Sequence, residues 1–444
     1  MRILHIAAHM GAGAGKAISG MAIADREHEH RIIVLDKPEK TNHITRCSQH
    51  GIQVDACLSP EQERVEVAKA DVVVVNWWHH PLLYKTLLNI SKVPSRLVLW
   101  CHVNGVHYPQ LQPSFLSCFE GYMFTSSASF GNDNWSKSER EEIKRKGILV
   151  YGMGDFNPEN HIIKPDYEIN TENIKVGYVG SLDYAKLHPD FVAWLKEVIK
   201  KNKHIKFELA GDVTEQLRID VEKAGILGCV DFLGFRTDVK ELLPKWDAFI
   251  YPLNPYNFAT TENALIEAMA SGLPIVASNG LVERTIIHDG VDGLLVGDKD
   301  AFSERLMELL KDKNFREGLG KSARVTTLDR YSVTANKQRF NEAVSKTLDD
   351  GKIIHNFSLV LGDSTFEWFL CGCSANDAEK LRFLSKVESS SVEHNKVSQV
   401  ISSLAGIYKG KEKGSVAQYC KYFPGDEQLN ALAMVMKTCG GDFV

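Results

Sequence analysis

The chain has 444 residues, 44% apolar and 25% charged, with a formal net charge of −5. That is the composition of a soluble globular protein of two or three domains, and the charge excludes the overall basic field of a dedicated nucleic-acid binder. Nine cysteines scattered from Cys47 to Cys439 read as reduced thiols and not as a disulfide framework. The amino terminus runs straight into a strand-like segment with no apolar h-region. No uncharged apolar run approaches the ~18 residues that span a bilayer, so a cytoplasmic location is expected, at most peripheral to the inner face of the membrane.

Short apolar runs at 3–6, 31–35, 71–75, 96–101, 121–125 and 147–150 are rich in β-branched residues and do not alternate. Strands covered on both faces of a parallel sheet read this way. Helices are predicted among them at 16–28, 60–69 and 138–146. A polar stretch over 157–173, with Pro158 and Pro165, leads into a second series. Its predicted strands are 174–179, 205–209, 229–233, 247–251, 273–278 and 293–296, and its helices 187–201, 214–224, 262–271, 300–310 and 315–323. The pattern predicts an α/β protein with two facing Rossmann-like doubly wound domains, over 1–160 and 161–335, and ligands beyond the carboxyl ends of the strands. A helix over 332–348 should follow the second sheet, with 336–349 as a terminal helix following the second domain. Residues 352–444 hold ten basic and ten acidic side chains and read as a small α-helical appendage, 350–444, of unassigned role. Its predicted helices are 377–387, 392–408, 416–422 and 427–437.

Several clusters carry chemistry. Gly11, Gly13, Gly15 and Lys16 follow the first strand and open a helix, where small residues let a ligand approach the backbone and free amides favour an anion. The spacing fits neither a Walker A loop nor the dinucleotide G-x-G-x-x-G pattern. Thr260, Thr261, Glu262 and Asn263 begin a predicted helix. A threonine there can cap it and leave the amides of Thr261–Asn263 directed at a diphosphate. Glu267 sits among alanines and leucine, where a carboxylate needs donors such as ribose hydroxyls. His102 ends a strand with its polar tip at the mouth of the sheet. Trp77, Trp78 and His79 follow another strand and could form an aromatic platform for a sugar acceptor. His79 and His80 lack a third ligand at metal spacing, Asp298 before a helix reads as an N-cap, and Cys371 and Cys373 lack zinc spacing; no metal is expected.

The segments 149–155, 179–186, 232–243, 260–278 and 280–296, in that order, resemble the retaining, GT-B-fold glycosyltransferases of family 4 (glycosyl transferases group 1). The resemblance covers about 1–348 and is most specific over 174–296. It implies a nucleoside-diphosphate sugar as co-substrate and no metal or other cofactor. Lys186 matches the family lysine on the donor diphosphate, Glu267 the glutamate that holds the ribose, and His102 the cleft histidine on the donor sugar, which makes these three the expected catalytic set. Donor contacts are expected from Gly13, Gly180, Ser181, Phe235, Arg236, Thr260, Thr261, Glu262 and Asn263. The chain departs from the family where Ala259 replaces the first glutamate of the E-x7-E pair and Ser181 the arginine of the R-x4-K pair, with Glu262, Arg236 or Asn263 as substitutes. The implied activity is retaining, metal-independent transfer of a hexose to a glycan or lipid-linked acceptor, used in polysaccharide biosynthesis. A sugar-nucleotide epimerase and a degenerate nucleotide-binding scaffold docking a protein through 350–444 are the alternatives. Basic runs at Lys144–Lys146 and Lys196–Lys206 read as solvated helix faces, and the first, in the domain expected to meet the acceptor, also suits contact with anionic headgroups.

Overall fold

A computed structural model of the chain describes residues 1–165, 168–257, 260–387, 394–404, 408 and 414–439. Ala259, where the family's first glutamate would fall, lies outside them. The chain divides into two compact units, Met1–Gly154 with Lys337–Val444, and Asp155–Asn336.

The first unit is built on seven strands, β1 (Arg2–Ala7), β2 (Glu29–Val34), β3 (Gln53–Ala56), β4 (Val72–Trp77), β5 (Leu97–Cys101), β6 (Gly121–Phe124) and β7 (Gly147–Leu149). All pair in parallel in the order β3-β2-β1-β4-β5-β6-β7. β4 and β5 are buried along their whole length, which is why their apolar runs do not alternate. β3 went unpredicted because Gln53 and Asp55 interrupt its apolar pattern; it is an edge strand whose Asp55 accepts from Arg31 Nε at 2.9 Å.

The second unit carries β8 (Ile174–Val179), β9 (Ile205–Ala210), β10 (Val230–Gly234), β11 (Ala248–Tyr251), β12 (Ile275–Ser278) and β13 (Leu294–Val296). They form one parallel sheet ordered β10-β9-β8-β11-β12-β13. Both sheets are Rossmann-like. Strand order reverses between β1 and β4 in one and between β8 and β11 in the other, and such switch points open a crevice beyond the strand ends. Asp298 caps the helix Lys299–Lys311, accepting from the amides of Asp300 and Ala301 at 3.0 and 2.8 Å.

The helix Val333–Ser345 follows the second sheet, and from Lys337 on it belongs to the first unit. Its buried Phe340 lies against His5, His30 and Trp100, at centroid distances of 5.9, 6.1 and 5.6 Å. The helices beyond it include Thr365–Leu370, Ala375–Leu384, His394–Ser402, Val416–Tyr422 and Glu427–Cys439. They form the expected helical region, and Phe366, Phe369, Leu381, Tyr419, Leu429 and Leu432 are buried in the same unit. Part of the helix predicted over 392–408 lies outside the described residues. Among the described residues no helix is long and apolar enough to cross a membrane.

Candidate functional site

At the switch point of the second sheet, the loop after β8 meets the loop after β11. Gly180 (φ +152°) and Gly211 (φ +150°) let the ends of β8 and β9 close on one another, since a Cβ on Gly211 would stand 1.8 Å from the Gly180 carbonyl oxygen. Ser181 follows, exposed, and its carbonyl accepts from the Tyr178 hydroxyl at 3.1 Å. The chain then turns through Asp183, whose carboxylate accepts from the Lys186 amide at 3.0 Å and so fixes the base of that side chain. Lys186 Nζ donates to Glu262 Oε2 at 2.5 Å, and the Tyr251 hydroxyl donates to the same oxygen at 2.7 Å. Tyr251 stacks on Tyr178 at 5.6 Å and presents its ring 5.5 Å from Lys186 Nζ.

Glu262 is 2% exposed, and its Oε1 is buried with no hydrogen-bond partner. A second buried acid, Glu283, lies beside it and accepts from Ser278 Oγ at 3.5 Å. Burial first, and the neighbouring Glu262 second, push Glu283 up to about 7 from the usual 4.5. Two buried carboxylates therefore share one ammonium and a phenol. The cluster is one oxygen short of donors, which a ligand hydroxyl would satisfy.

The helix over this cluster is Asn263–Ala270, starting one residue later than predicted. Glu262 is its N-cap residue and forms no side-chain cap, so neither Thr260 nor Thr261 fills that role. The first-turn amides are those of Asn263–Leu265, not Thr261–Asn263. Thr260 is buried, Asn263 Oδ1 is buried without a partner, and Glu267 is half-buried one turn further along. Arg236 is turned onto Asp238 in a two-point ion pair at 2.8 and 2.5 Å, next to Phe235, which is 73% exposed at the end of β10. The structure thus unites Lys186 and Glu262 with Tyr178, Tyr251 and Glu283, three residues the sequence had not singled out as site residues.

In the first unit the switch point lies between the glycine turn and the loop after β4. Gly13 stands in the first turn of the helix Ala12–Ala24, which has no side-chain cap, and a Cβ there would meet nothing within 4 Å. His102 Nε2 is 3.1 Å from Asn76 Oδ1, while Asn76 Nδ2 donates to the Ile6 carbonyl at 3.2 Å. That orientation of the amide makes Nε2 the protonated nitrogen of His102 and leaves Nδ1 as an acceptor. Packing around the ring pushes its pKa down to about 3, so the imidazole is neutral near pH 7.

The aromatic platform is corrected by burial. Trp77 is 3% exposed and wedged at 4.6 Å from Phe115 and 4.9 Å from Tyr84. His79, with φ +62°, is 1% exposed; its Nδ1 is 2.6 Å from the Tyr84 hydroxyl, and Tyr419 from the carboxyl-terminal helices sits on its other side at 3.3 Å. Neither can stack on a sugar. Trp78 differs: its indole lies 4.9 Å from His9 and 6.0 Å from His102, with a buried Nε1 that has no acceptor.

The family model of glycosyl transferases group 1 matches residues 173–312. Among curated proteins, the capsular polysaccharide biosynthesis glycosyltransferase CapM of Staphylococcus aureus is 23% identical over 203 residues, 43% of this chain and 53% of that protein. The N-acetyl-alpha-D-glucosaminyl L-malate synthase of Bacillus anthracis is 27% identical over 350 residues, 72% of this chain and 90% of that one. The chain spans only about half the length of the first curated relatives it matches, 53% and 60%. Among solved structures, Anabaena Alr3699/HepE, determined with UDP and glucose, superposes with a TM-score of 0.61 at 17% identity, over 78% of this chain and all (100%) of that one. This likeness establishes the GT-B fold.

Proposed function

We propose that this chain, whose second Rossmann-like domain matches the family model of glycosyl transferases group 1, is a glycosyltransferase that moves a hexose from a nucleoside diphosphate to a glycan or lipid-linked acceptor. The observation that carries the reading is the Lys186–Glu262 pair at the switch point of the second sheet, beside the uncapped start of the helix Asn263–Ala270. A leaving nucleoside diphosphate gains negative charge in the transition state. First-turn amides and one preorganised ammonium can stabilise that charge without a metal ion. Lys186 keeps two further N–H donors when one is spent on Glu262, so the carboxylate aims the ammonium and need not quench it. Glu262 Oε1, unpartnered and buried, would accept a hydroxyl of the donor, the task the family gives to the glutamate replaced by Ala259. Glu267 would hold the ribose, with Gly180 and Ser181 on the diphosphate side. In the first unit, neutral His102 offers Nδ1 to a sugar hydroxyl. CapM and the malate synthase support the class of reaction; the UDP and glucose found with HepE support a nucleotide-sugar donor.

Retention of configuration follows the family and is tested by the anomeric form of the product. Incubation with a panel of UDP-, GDP- and other nucleotide sugars, with and without EDTA, tests the rest. Slow donor hydrolysis with nucleotide release that survives EDTA is the expected result. A degenerate binding protein is the second reading, favoured by the ion pair that holds Lys186 in place; a thermal shift with nucleotide but no turnover would select it. Conversion of the donor to its epimer would select an epimerase.

A further inference from the structure

The second unit contains a cavity that none of this chemistry uses. It opens at the amino edge of the sheet, where Gly272 and Pro274 lead into β12, and so on the side away from Lys186 and Glu262. Its volume is about 100 Å³, and Lys164, Pro274, Arg316, Glu317, Lys321 and Arg324 line it. Four cations against one lining carboxylate is an unusual wall, because two of the cations are deeply placed: the Lys164 side chain is 8% exposed and Arg316 3%.

Three of the lining cations are held by backbone oxygen. Arg316 Nη1 donates to the carbonyls of Leu309 and Leu310 at 3.4 and 3.2 Å, in the last turn of the helix Lys299–Lys311. Arg324 Nη1 donates to Ala270, at the end of the helix Asn263–Ala270, and to Pro158. Lys164 Nζ donates to Pro244 at 3.1 Å, with Asp247 Oδ1 4.0 Å away. Capping two helix carboxyl ends accounts for the two arginines as single residues. It does not account for Lys164 beside them, whose ion-pair partner Asp247 stands 4.0 Å off, nor for the carboxylate. Glu317 Oε2 faces Lys321 at 3.7 Å, but Glu317 Oε1 is buried with no hydrogen-bond partner, Lys313 being 4.0 Å off. An excess of cations along the wall favours an anion, and Glu317 Oε1, in a long ion pair with Lys313 but without a hydrogen bond, can accept from a hydroxyl. Burial also pushes the Lys164 ammonium down to about 8, still largely charged near pH 7, and an anion beside it would stabilise that charge.

We propose that this cavity is a binding site for a phosphate monoester that carries a hydroxyl, with the phosphate among Lys164, Arg316 and Arg324 and the hydroxyl donated to Glu317 Oε1. Phosphate suits planar guanidinium forks, and a small hydroxylated ester satisfies both demands with one molecule.

Calorimetric titration of the full chain with glycerol 3-phosphate, ethyl phosphate and inorganic phosphate tests this. Glycerol 3-phosphate should bind at least about tenfold more tightly than ethyl phosphate, which lacks the hydroxyl. Lys164→Met should weaken all three by about tenfold or more. The exposed Lys321→Ala serves if Lys164→Met does not fold, and should weaken them severalfold. Glu317→Gln should bind inorganic phosphate more tightly and lose most of the preference for the hydroxylated ester. Absence of heat with all three probes at millimolar concentration overturns the site. Equal affinity for glycerol 3-phosphate and ethyl phosphate overturns the ester assignment, and binding unchanged by either lysine variant overturns the location.

Discussion

At the scale of single residues, the proposed chemistry rests on an ammonium whose position is set by a carboxylate. If Lys186 stabilises the departing diphosphate, Lys186→Ala should cut nucleotide release by about a hundredfold or more, the scale of losing one preorganised charge donor. A loss below about threefold would remove Lys186 from the mechanism. The same variant leaves Glu262 buried without its cation, so a urea melt must accompany the rate. Glu283 gives a separate and signed expectation. Its carboxyl is raised from 4.5 to about 7, chiefly by burial, so its neutral form is the one the fold favours. The stability it contributes is complete below pH 4.5 and is lost as pH rises through about 7, a loss on the order of 3 kcal/mol. Glu283→Gln cannot ionise and should flatten that decline, which urea unfolding at pH 5 and pH 8 would reveal; parallel declines in the two proteins would exclude Glu283 as its source. Lys186 and Glu262 drew notice in the sequence because one matches the family's lysine and the other opens a predicted helix. Tyr251 and Glu283 did not, because what makes them part of the site is a neighbour across the sheet, and nothing in their own segments announces it.

Among elements, the parallel strands were read almost completely, since full burial removes alternation and leaves uninterrupted β-branched runs. The failures have local causes. β3 is an edge strand with two polar residues in four. The site helix begins at Asn263 and not at Glu262, because Glu262 is drawn inward by Lys186 and Tyr251 and takes the N-cap position with ψ +81°. The helix Val333–Ser345 shows a different limit: its period is plain in the sequence, but which sheet it covers is decided by one side chain. Phe340 lies over a pair of imidazoles joined by a 3.0 Å His5–His30 contact, and His30 in turn reaches Asp25 at 3.0 Å. Burial works to raise the Asp25 carboxyl, but hydrogen bonds from His30 and His28 outweigh it and hold the group well below the usual carboxylate range. Phe340→Ala would open a cavity over this polar row and should destabilise the first unit by about 3–5 kcal/mol, measurable as a shift in denaturant midpoint. A change below about 1 kcal/mol would mean the helix is held by other contacts.

For the whole molecule, the segment after residue 350 changes meaning once its contacts are known. Equal numbers of basic and acidic residues and helical pieces joined by short turns left its role unassigned. The structure shows these helices covering the loop after β4: Tyr419 packs on His79, Tyr422 lies 4.8 Å from His80 and hydrogen-bonds Asp36, and Trp368 lies 6.3 Å from Tyr84. Tyr108, in the loop after β5, donates to the Gly414 carbonyl and meets Tyr408 at 4.6 Å. Even the backbone joins in, with Ser95 and Ile353 exchanging bonds at 2.9 and 3.1 Å. Removing these helices would expose Trp77, Tyr84, Tyr108 and Phe115 together, and a contiguous aromatic patch of that kind drives association. A chain ending at residue 350 should therefore be recovered mostly as aggregate. The separately expressed second unit, Asp155–Asn336, should stay soluble and bind UDP or GDP, because its sheet and the Lys186–Glu262 pair are complete without the rest. The milder variant Tyr419→Phe removes only the hydroxyl shared with His79 and should cost about 1 kcal/mol. A truncated chain that stays monomeric and melts at the temperature of the full protein would show that the carboxyl-terminal helices are an accessory after all, and that the burial of His79 has another cause.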